Sequence, residues 1–215
     1  MSIICPSVTA PDAQAYRQEM SRIAPFANRV HIDFSDGEFS PVRLVNLAQA
    51  YWPEGIIADL HLMYKTPGKY IETAISLNPQ LITIQAEADG DLLAVIRELR
   101  AVGIKSGVCL LQETQPDHVR NLISEVDHVL IFSGDLGHHG GHADVALLKK
   151  VPHIRAINPN AEIGWDGGVN AQNVAQLALG GIEVLIAGGA IQQVDDAKQA
   201  YDQLVDAAAK ANASQ

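Results

Sequence analysis

Eight short apolar runs recur along this chain at intervals suited to strand-plus-helix units. They cover residues 3–5, 29–33, 56–62, 81–85, 106–111, 128–132, 162–166 and 184–187. Consecutive strands joined through helices run parallel, because a crossover connection returns the chain to the same end of the sheet. Eight units in 215 residues predict an α/β fold, a single (β/α)8 TIM barrel filling residues 1–215 as one domain. The competing architecture is an open doubly wound sheet. Its glycine-rich turn after the first strand is missing, and Pro6-Ser7-Val8-Thr9 stands there instead.

The segments between the runs carry helical signals. Over residues 91–102, Leu92, Val95, Ile96, Leu99 and Val102 form one apolar stripe, and Gly103 stops it. Asn170 is expected to cap a helix carrying Val174, Leu177 and Ala178 that ends at Gly180-Gly181. Pro67 suits a first helical turn, and the tail over residues 207–215 reads as a fraying helix end.

Composition narrows the function. Apolar residues make up 47%, which excludes a disordered chain. Asp and Glu number 25 against 15 Lys and Arg, and the resulting charge of −10 argues against nucleic acid or an anionic membrane as partner. No apolar run approaches the roughly 20 residues needed to span a bilayer. Residues 1–6 enter a strand run at once, so no targeting segment is expected. The two cysteines, Cys5 and Cys109, both fall in strand runs. Two buried thiols fit a reducing cytosol, and a cytoplasmic location is expected.

Four polar residues interrupt the apolar runs near their C-terminal ends. His31 and Asp33 stand two apart on the second strand and so share a face. His61 ends the third run and Asp166 the seventh. The C-terminal rim of a barrel is where chemistry occurs. A lone histidine on a buried strand is usually a satisfied core residue, but four such residues at one rim point to a site. Imidazole plus carboxylate suits one divalent metal ion, and zinc, iron, manganese and cobalt all remain open. Two carboxylates also supply an acid and a base.

Glycines form the second group. Gly167-Gly168 follow the seventh strand, and Gly188-Gly189 follow the eighth. The loops after these strands often hold phosphate on backbone N–H groups. A tight turn is the plainer explanation for one pair, but two pairs in these two loops predict a phosphorylated substrate. Residues 133–142 are too glycine-rich for regular structure and fit a mobile lid over the mouth. A solvated loop with idle histidines is the alternative, and His138, His139 and His142 could also capture metal adventitiously.

With these residues in place, the chain resembles the ribulose-phosphate 3-epimerase family from about residue 3 to about residue 191. The opening Pro-Ser is Pro6-Ser7. The His-x-Asp-x-x-Asp-Gly-x-Phe-x-Pro motif runs from His31 through Asp33, Asp36, Gly37 and Phe39 to Pro41. Asp-x-His-Leu-Met is Asp59 to Met63, Asp-Gly-Gly-Val is Asp166 to Val169, and Ala-Gly-x-Ala is Ala187 to Ala190. The resemblance implies a barrel of the ribulose-phosphate-binding type. It implies His31, Asp33, His61 and Asp166 as metal ligands, with Asp33 and Asp166 as the acid/base pair. It places Ser7 in hydrogen bonding near the substrate and Met63 against an enediolate. It also implies a homo-oligomer.

The expected reaction is inversion of the third carbon of a ketose phosphate, ribulose 5-phosphate to xylulose 5-phosphate. One Asp removes the proton next to the ketone and the other returns it on the opposite face. The phosphate is expected on Gly140, Gly141, Gly167, Gly168, Gly188 and Gly189, with Ser7, His61 and Met63 lining the rest. Three departures from the family pattern, at Ser35, at Gln85 and over residues 132–142, bear on the sugar pocket. A six-carbon ketose phosphate is therefore an alternative substrate, and a non-catalytic sugar-phosphate-binding barrel an alternative function. A phosphosugar lyase on this fold is disfavoured. Its Asp-x-Lys-x-x-Asp corresponds to Asp59, His61 and Tyr64 here.

Overall fold

The computed structural model describes residues 2–213. Eight strands close into a barrel in chain order, every neighbouring pair parallel. They are β1 (Ile3–Val8), β2 (Arg29–Ser35), β3 (Ile57–Met63), β4 (Leu81–Gln85), β5 (Lys105–Leu110), β6 (His128–Phe132), β7 (Glu162–Asp166) and β8 (Val184–Ala187). The expected (β/α)8 barrel is the fold observed. Three strands extend past the expected ends: β1 by three residues to Val8, β2 to Ser35 and β3 to Met63. Ser7 thus lies within a strand rather than in a turn, registered against His31.

Side chains alternate along each strand between two cores. Val30, Ile32, Phe34, Leu60, Leu62, Ile82, Ile84, Val129, Ile131, Ile163 and Trp165 pack outward in the layer between sheet and helices. Cys5, Cys109, Leu130, Phe132, Val184 and Ile186 fill the barrel interior. This alternation turns the remaining positions of β2 and β3 inward, so His31, Asp33 and His61 enter the barrel. Both cysteines are free and buried. Glycine occurs where the interior is full. A Cβ on Gly107 would lie 2.5 Å from Thr83 Oγ1, and one on Gly164 2.7 Å from His128 Nε2.

The helical layer comprises α1 (Ala13–Ile23), α2 (Ile71–Ser76), α3 (Leu92–Ala101), α4 (Arg120–Ile123), α5 (Lys150–Ile157), α6 (Val174–Leu179), α7 (Gly189–Gln192) and α8 (Ala197–Asn212). Asp12, Asp91 and Asp196 cap α1, α3 and α8, each accepting a backbone N–H of the first turn. On α3 the stripe Leu92, Val95, Ile96 and Leu99 is buried, but Val102 lies one residue beyond the helix and is exposed. The helix ends before Val102 can join the stripe, and Gly103 follows at φ +79°.

Two further expectations need correction. α6 begins after Asn173, a turn later than expected, and Asn173 makes no side-chain cap hydrogen bond. Asn170 builds the preceding turn, where its Oδ1 accepts the Gln172 N–H. The alternation also fails once: no α-helix joins β2 to β3. That connection carries only a 3-10 turn at Leu47–Gln49, since Gly37, Pro41, Pro53 and Gly55 punctuate it. Pro67 opens a 3-10 turn rather than an α-helix, with α2 following at Ile71. The tail is helical to Asn212, and the rest of it, Ser214 and Gln215, lies outside the described residues. Among the described residues no helix is long and apolar enough to cross a membrane.

The end of the barrel opposite the mouth is closed by charge. Arg29 Nε bonds Asp59 Oδ2 at 2.6 Å, and its other two nitrogens reach Glu162 at 2.9 and 2.8 Å. His128 Nδ1 lies 2.9 Å from the same Glu162. Burial pushes the Asp59 carboxyl up despite Arg29. Burial also acts to raise Glu162, but the hydrogen bonds from Arg29 and His128 outweigh it and hold that carboxyl well below its ordinary value. Removing Arg29 leaves Asp59 buried without a counter-charge. Arg29→Met is expected to cost about 3–5 kcal/mol at pH 7 in urea unfolding. Arg29 helps only while its partners are ionised. As pH falls, the share owed to Asp59, raised by burial, therefore shrinks already above the ordinary carboxylate range of about 4, and the share owed to Glu162, held low, persists below it. A pH-independent loss, or one under about 1 kcal/mol, would show that the cluster does not hold the barrel floor.

Candidate active site at the barrel mouth

The four polar residues named above come together at the C-terminal end of the barrel. Register does part of this, since β2 and β3 pair with Asp33 against His61. Asp166 ends β7 and approaches from across the mouth. One ligand atom from each of His31, Asp33, His61 and Asp166 lies within 4.8 Å of every other. Among the described residues this is the one cluster of three or more potential metal ligands. His138 and His142 are exposed and stand apart from it.

The donor set fits a divalent cation. His61 Nδ1 lies 2.9 Å and His31 Nε2 3.3 Å from Asp33 Oδ1, and each lies 3.9 Å from Asp166 Oδ2. His31 Nε2 is buried with no hydrogen-bond partner among the described residues, although it points at two carboxylates. A buried ring nitrogen in that position is what a metal ligand requires. His61 is oriented from behind by Gln85, whose side-chain amide is 2.9 Å from Nε2. Turning that amide over sets Oε1, otherwise without a partner, against Nε2–H. Nδ1 then keeps its lone pair toward the carboxylates.

The two carboxylates are pushed apart electrostatically. Burial, and then the charge of Asp33, raise the Asp166 carboxyl to about 6. Burial also acts to raise Asp33, but the adjacent His31 and His61 hold it well below the carboxylate range. Thr9 Oγ1 donates to Asp33 Oδ2 at 2.7 Å. Thr9 and Glu19, which accepts the Thr9 N–H at 2.8 Å, are contributors that sequence reasoning missed, and Gln85, expected only as a departure in the sugar pocket, sits behind His61. Thr9 stands just beyond β1 and Gln85 ends β4, so position at a strand end was the signal available. Asp36, within the longest motif, has a structural place instead. Its carboxylate accepts N–H groups from Glu38, Phe39 and Lys65 and ties the loop to the end of β3.

The remaining expected residues divide. Ser7, Met63, Gly140, Gly167, Gly168, Gly188 and Gly189 line the mouth, but Gly141 packs on the backbone of Gly134 outside it. Residues 133–142 cross over the mouth as the lid, and the fit is close. A Cβ on Gly167 would sit 2.1 Å from Gly134 N, and one on Gly168 2.3 Å from Ala143 N. The Gly168 N–H donates to Gly140 O at 3.1 Å. With the lid in this position the cavity measures about 20 Å³, room for about one water.

Comparison with known proteins now bears on this site. Residues 3–192 match the model of the Ribulose-phosphate 3 epimerase family. A ribulose-phosphate 3-epimerase of Helicobacter pylori strain J99 is 29% identical over 211 residues, covering 94% of this chain and 95% of that protein. One of Bacillus subtilis is 26% identical over 210 residues, covering 94% and 97%. Among solved structures, 3-hexulose-6-phosphate synthase from Salmonella typhimurium superposes with a TM-score of 0.73 at 14% identity, over 97% of this chain and 99% of that one. KGPDC from Streptococcus mutans gives 0.70 at 9% identity, over 98% of each chain. At such identities these two establish the barrel alone. The sequence match over nearly the whole barrel goes further: this chain is an epimerase and belongs to the ribulose-phosphate 3-epimerase family.

Proposed function

We propose that this barrel, acting as one domain over residues 1–215, inverts the third carbon of a ketose phosphate, with ribulose 5-phosphate and xylulose 5-phosphate as the pair interconverted. The observation that carries the reading is the placement of Asp33 and Asp166. They come from strands on different sides of the mouth and meet with ligand atoms within 4.8 Å. Inversion needs a proton carrier on each face of a planar intermediate, and a single carboxylate serves only one.

In this mechanism one carboxylate takes the proton from the carbon beside the ketone, leaving an enediolate. The other delivers a proton from the opposite face. Thr9 fixes Asp33 through Oδ2, and Met63, 1% exposed at the end of β3, packs against the flat intermediate and keeps water away. His31, Asp33, His61 and Asp166 would hold one divalent metal ion, which when bound supplies Lewis-acid stabilisation of the oxygens that gain charge. The glycine backbone of the last two strand loops receives the phosphate end, and Ser7, expected to line the rest of the pocket, has its Oγ beside the Gly188 turn. The lyase alternative loses ground, because Asp59 is engaged by Arg29 a layer below the mouth.

The test of substrate class is kcat/KM for ribulose 5-phosphate and a six-carbon ketose phosphate, each beside its free sugar. The esters are expected to be better by about tenfold to a thousandfold, the worth of several charge-assisted hydrogen bonds. A free ketose matching its ester would contradict the phosphate assignment. No turnover of any ketose phosphate by metal-loaded protein would favour the non-catalytic alternative.

The metal centre has its own test. Elemental analysis of purified protein is expected to find about one divalent ion per chain, and His61→Ala to lower the affinity at least about tenfold. Equal metal content and affinity in both would remove His61 from the site.

A further inference from the structure

The lining of the mouth poses a charge problem. Asp33, Asp135 and Asp166 all line it, and no lysine or arginine does. A phosphate ester would enter a site already rich in carboxylate. Glycine N–H groups can cradle such an anion but carry no net charge to balance it.

One side chain occupies the place where a balancing charge is needed. His139 hangs from the lid and is 12% exposed. Its Nδ1 lies 2.6 Å from where a Cβ on Gly188 would be, and Ser7 Oγ lies 2.7 Å from that same point. The imidazole and the Ser7 hydroxyl therefore flank the β8 glycine turn together. That Nδ1 is buried and has no hydrogen-bond partner among the described residues. On the other side of the ring, Nε2 is also buried without a hydrogen bond of good geometry, but it lies within ion-pair distance of Glu19 Oε2, at 3.0 Å. Burial acts to strip the ring of its proton, but Glu19 outweighs it and raises the ring above its ordinary value. His138, the neighbouring imidazole on the lid, also lines the mouth but is exposed.

We propose that His139 is a specificity-determining residue: a lid-borne cation that binds the phosphate end of the substrate beside Ser7 and Gly188, with Glu19 holding it in place. The proposal rests on the epimerase reading above and adds the group that selects the ester over the free ketose. When the lid closes on substrate, the unpartnered Nδ1–H donates to a phosphate oxygen. Glu19 keeps the opposite nitrogen. The same Glu19 oxygen accepts the Thr9 N–H, and the Thr9 hydroxyl donates to Asp33. Seating of the lid imidazole and placement of the Asp33 carboxylate thus share one set of contacts.

The experiment compares wild type with His139→Ala and His139→Gln, both metal-loaded. Two quantities are read: kcat/KM for ribulose 5-phosphate relative to free ribulose, and calorimetric affinity for inorganic phosphate. The proposal predicts that His139→Ala lowers the ester-to-free ratio at least about tenfold, mainly through KM, and weakens phosphate binding by a similar factor. The Gln variant, a neutral donor, is expected to fall between. An unchanged ratio with unchanged phosphate affinity overturns the proposal. So does a rise in kcat/KM for the ester, which would make the ring a plug rather than a clamp. If wild type turns over no ketose phosphate, the epimerase reading fails on its own. The phosphate affinities of the folded variants, checked by thermal melting, still decide the role of His139.

Discussion

Two carboxylates held within 4.8 Å of each other and of two buried imidazoles set the terms for the rest of this molecule. At that spacing and an effective dielectric of about 20, two like charges repel by about 3 kcal/mol. Left to itself, such a cluster spreads apart or takes up protons. The barrel prevents spreading, because β2, β3 and β7 belong to one closed ladder and no strand can move alone. Imidazole nitrogens between the carboxylates absorb part of the repulsion, and a divalent cation would absorb the remainder. The strain of the site is therefore borne by the scaffold: the Arg29 cluster closes the opposite end of the barrel, and Phe132 and Ile186 of the interior core form part of the wall of the mouth.

A second constraint is backbone proximity. The lid and the loops after β7 and β8 come so close that Gly167 and Gly168 have no room for a side chain. Both also adopt positive φ, +108° and +70°, which favours glycine independently. The Gly168 N–H is already engaged by the lid carbonyl of Gly140. If phosphate binds here as proposed, it competes with the lid for the Gly168 N–H. The proposed charge selection in an acidic mouth rests on the one lid side chain that reaches the β8 turn, His139.

Much of this was legible in the sequence, for identifiable reasons. Parallel strands buried on both faces read as short apolar runs, so most boundaries fell within a residue or two. His31, Asp33, His61 and Asp166 broke those runs at one end, which marked the rim. The β2–β3 connection was not legible as an exception, because a loop held by Asp36 and a 3-10 turn leaves no periodic signal. The start of α6 lies one turn later than expected because residues 171–173 form a turn on Asn170 before the helix begins, and the sequence does not separate that turn from the helix. Thr9 and Glu19 were invisible for another reason, and Gln85 was visible only as a departure from the family pattern. Their roles depend on which strand ends, and which face of α1, lie side by side in the closed barrel. His139 was seen as part of a histidine-rich lid, but only the approach to Gly188 separates it from His138 and His142.

The central claim is that Asp33 and Asp166 serve opposite faces of one carbon. Its most direct test is solvent exchange at that carbon, followed in deuterium oxide with ribulose 5-phosphate and metal-loaded Asp33→Asn and Asp166→Asn proteins. Wild type is expected to incorporate deuterium as it inverts the centre. Each single variant should lose inversion by about a hundredfold to ten-thousandfold. One of the two should still exchange the ribulose proton, on the face its remaining carboxylate serves. Near-wild-type inversion by either variant with its metal bound would contradict the two-carboxylate account.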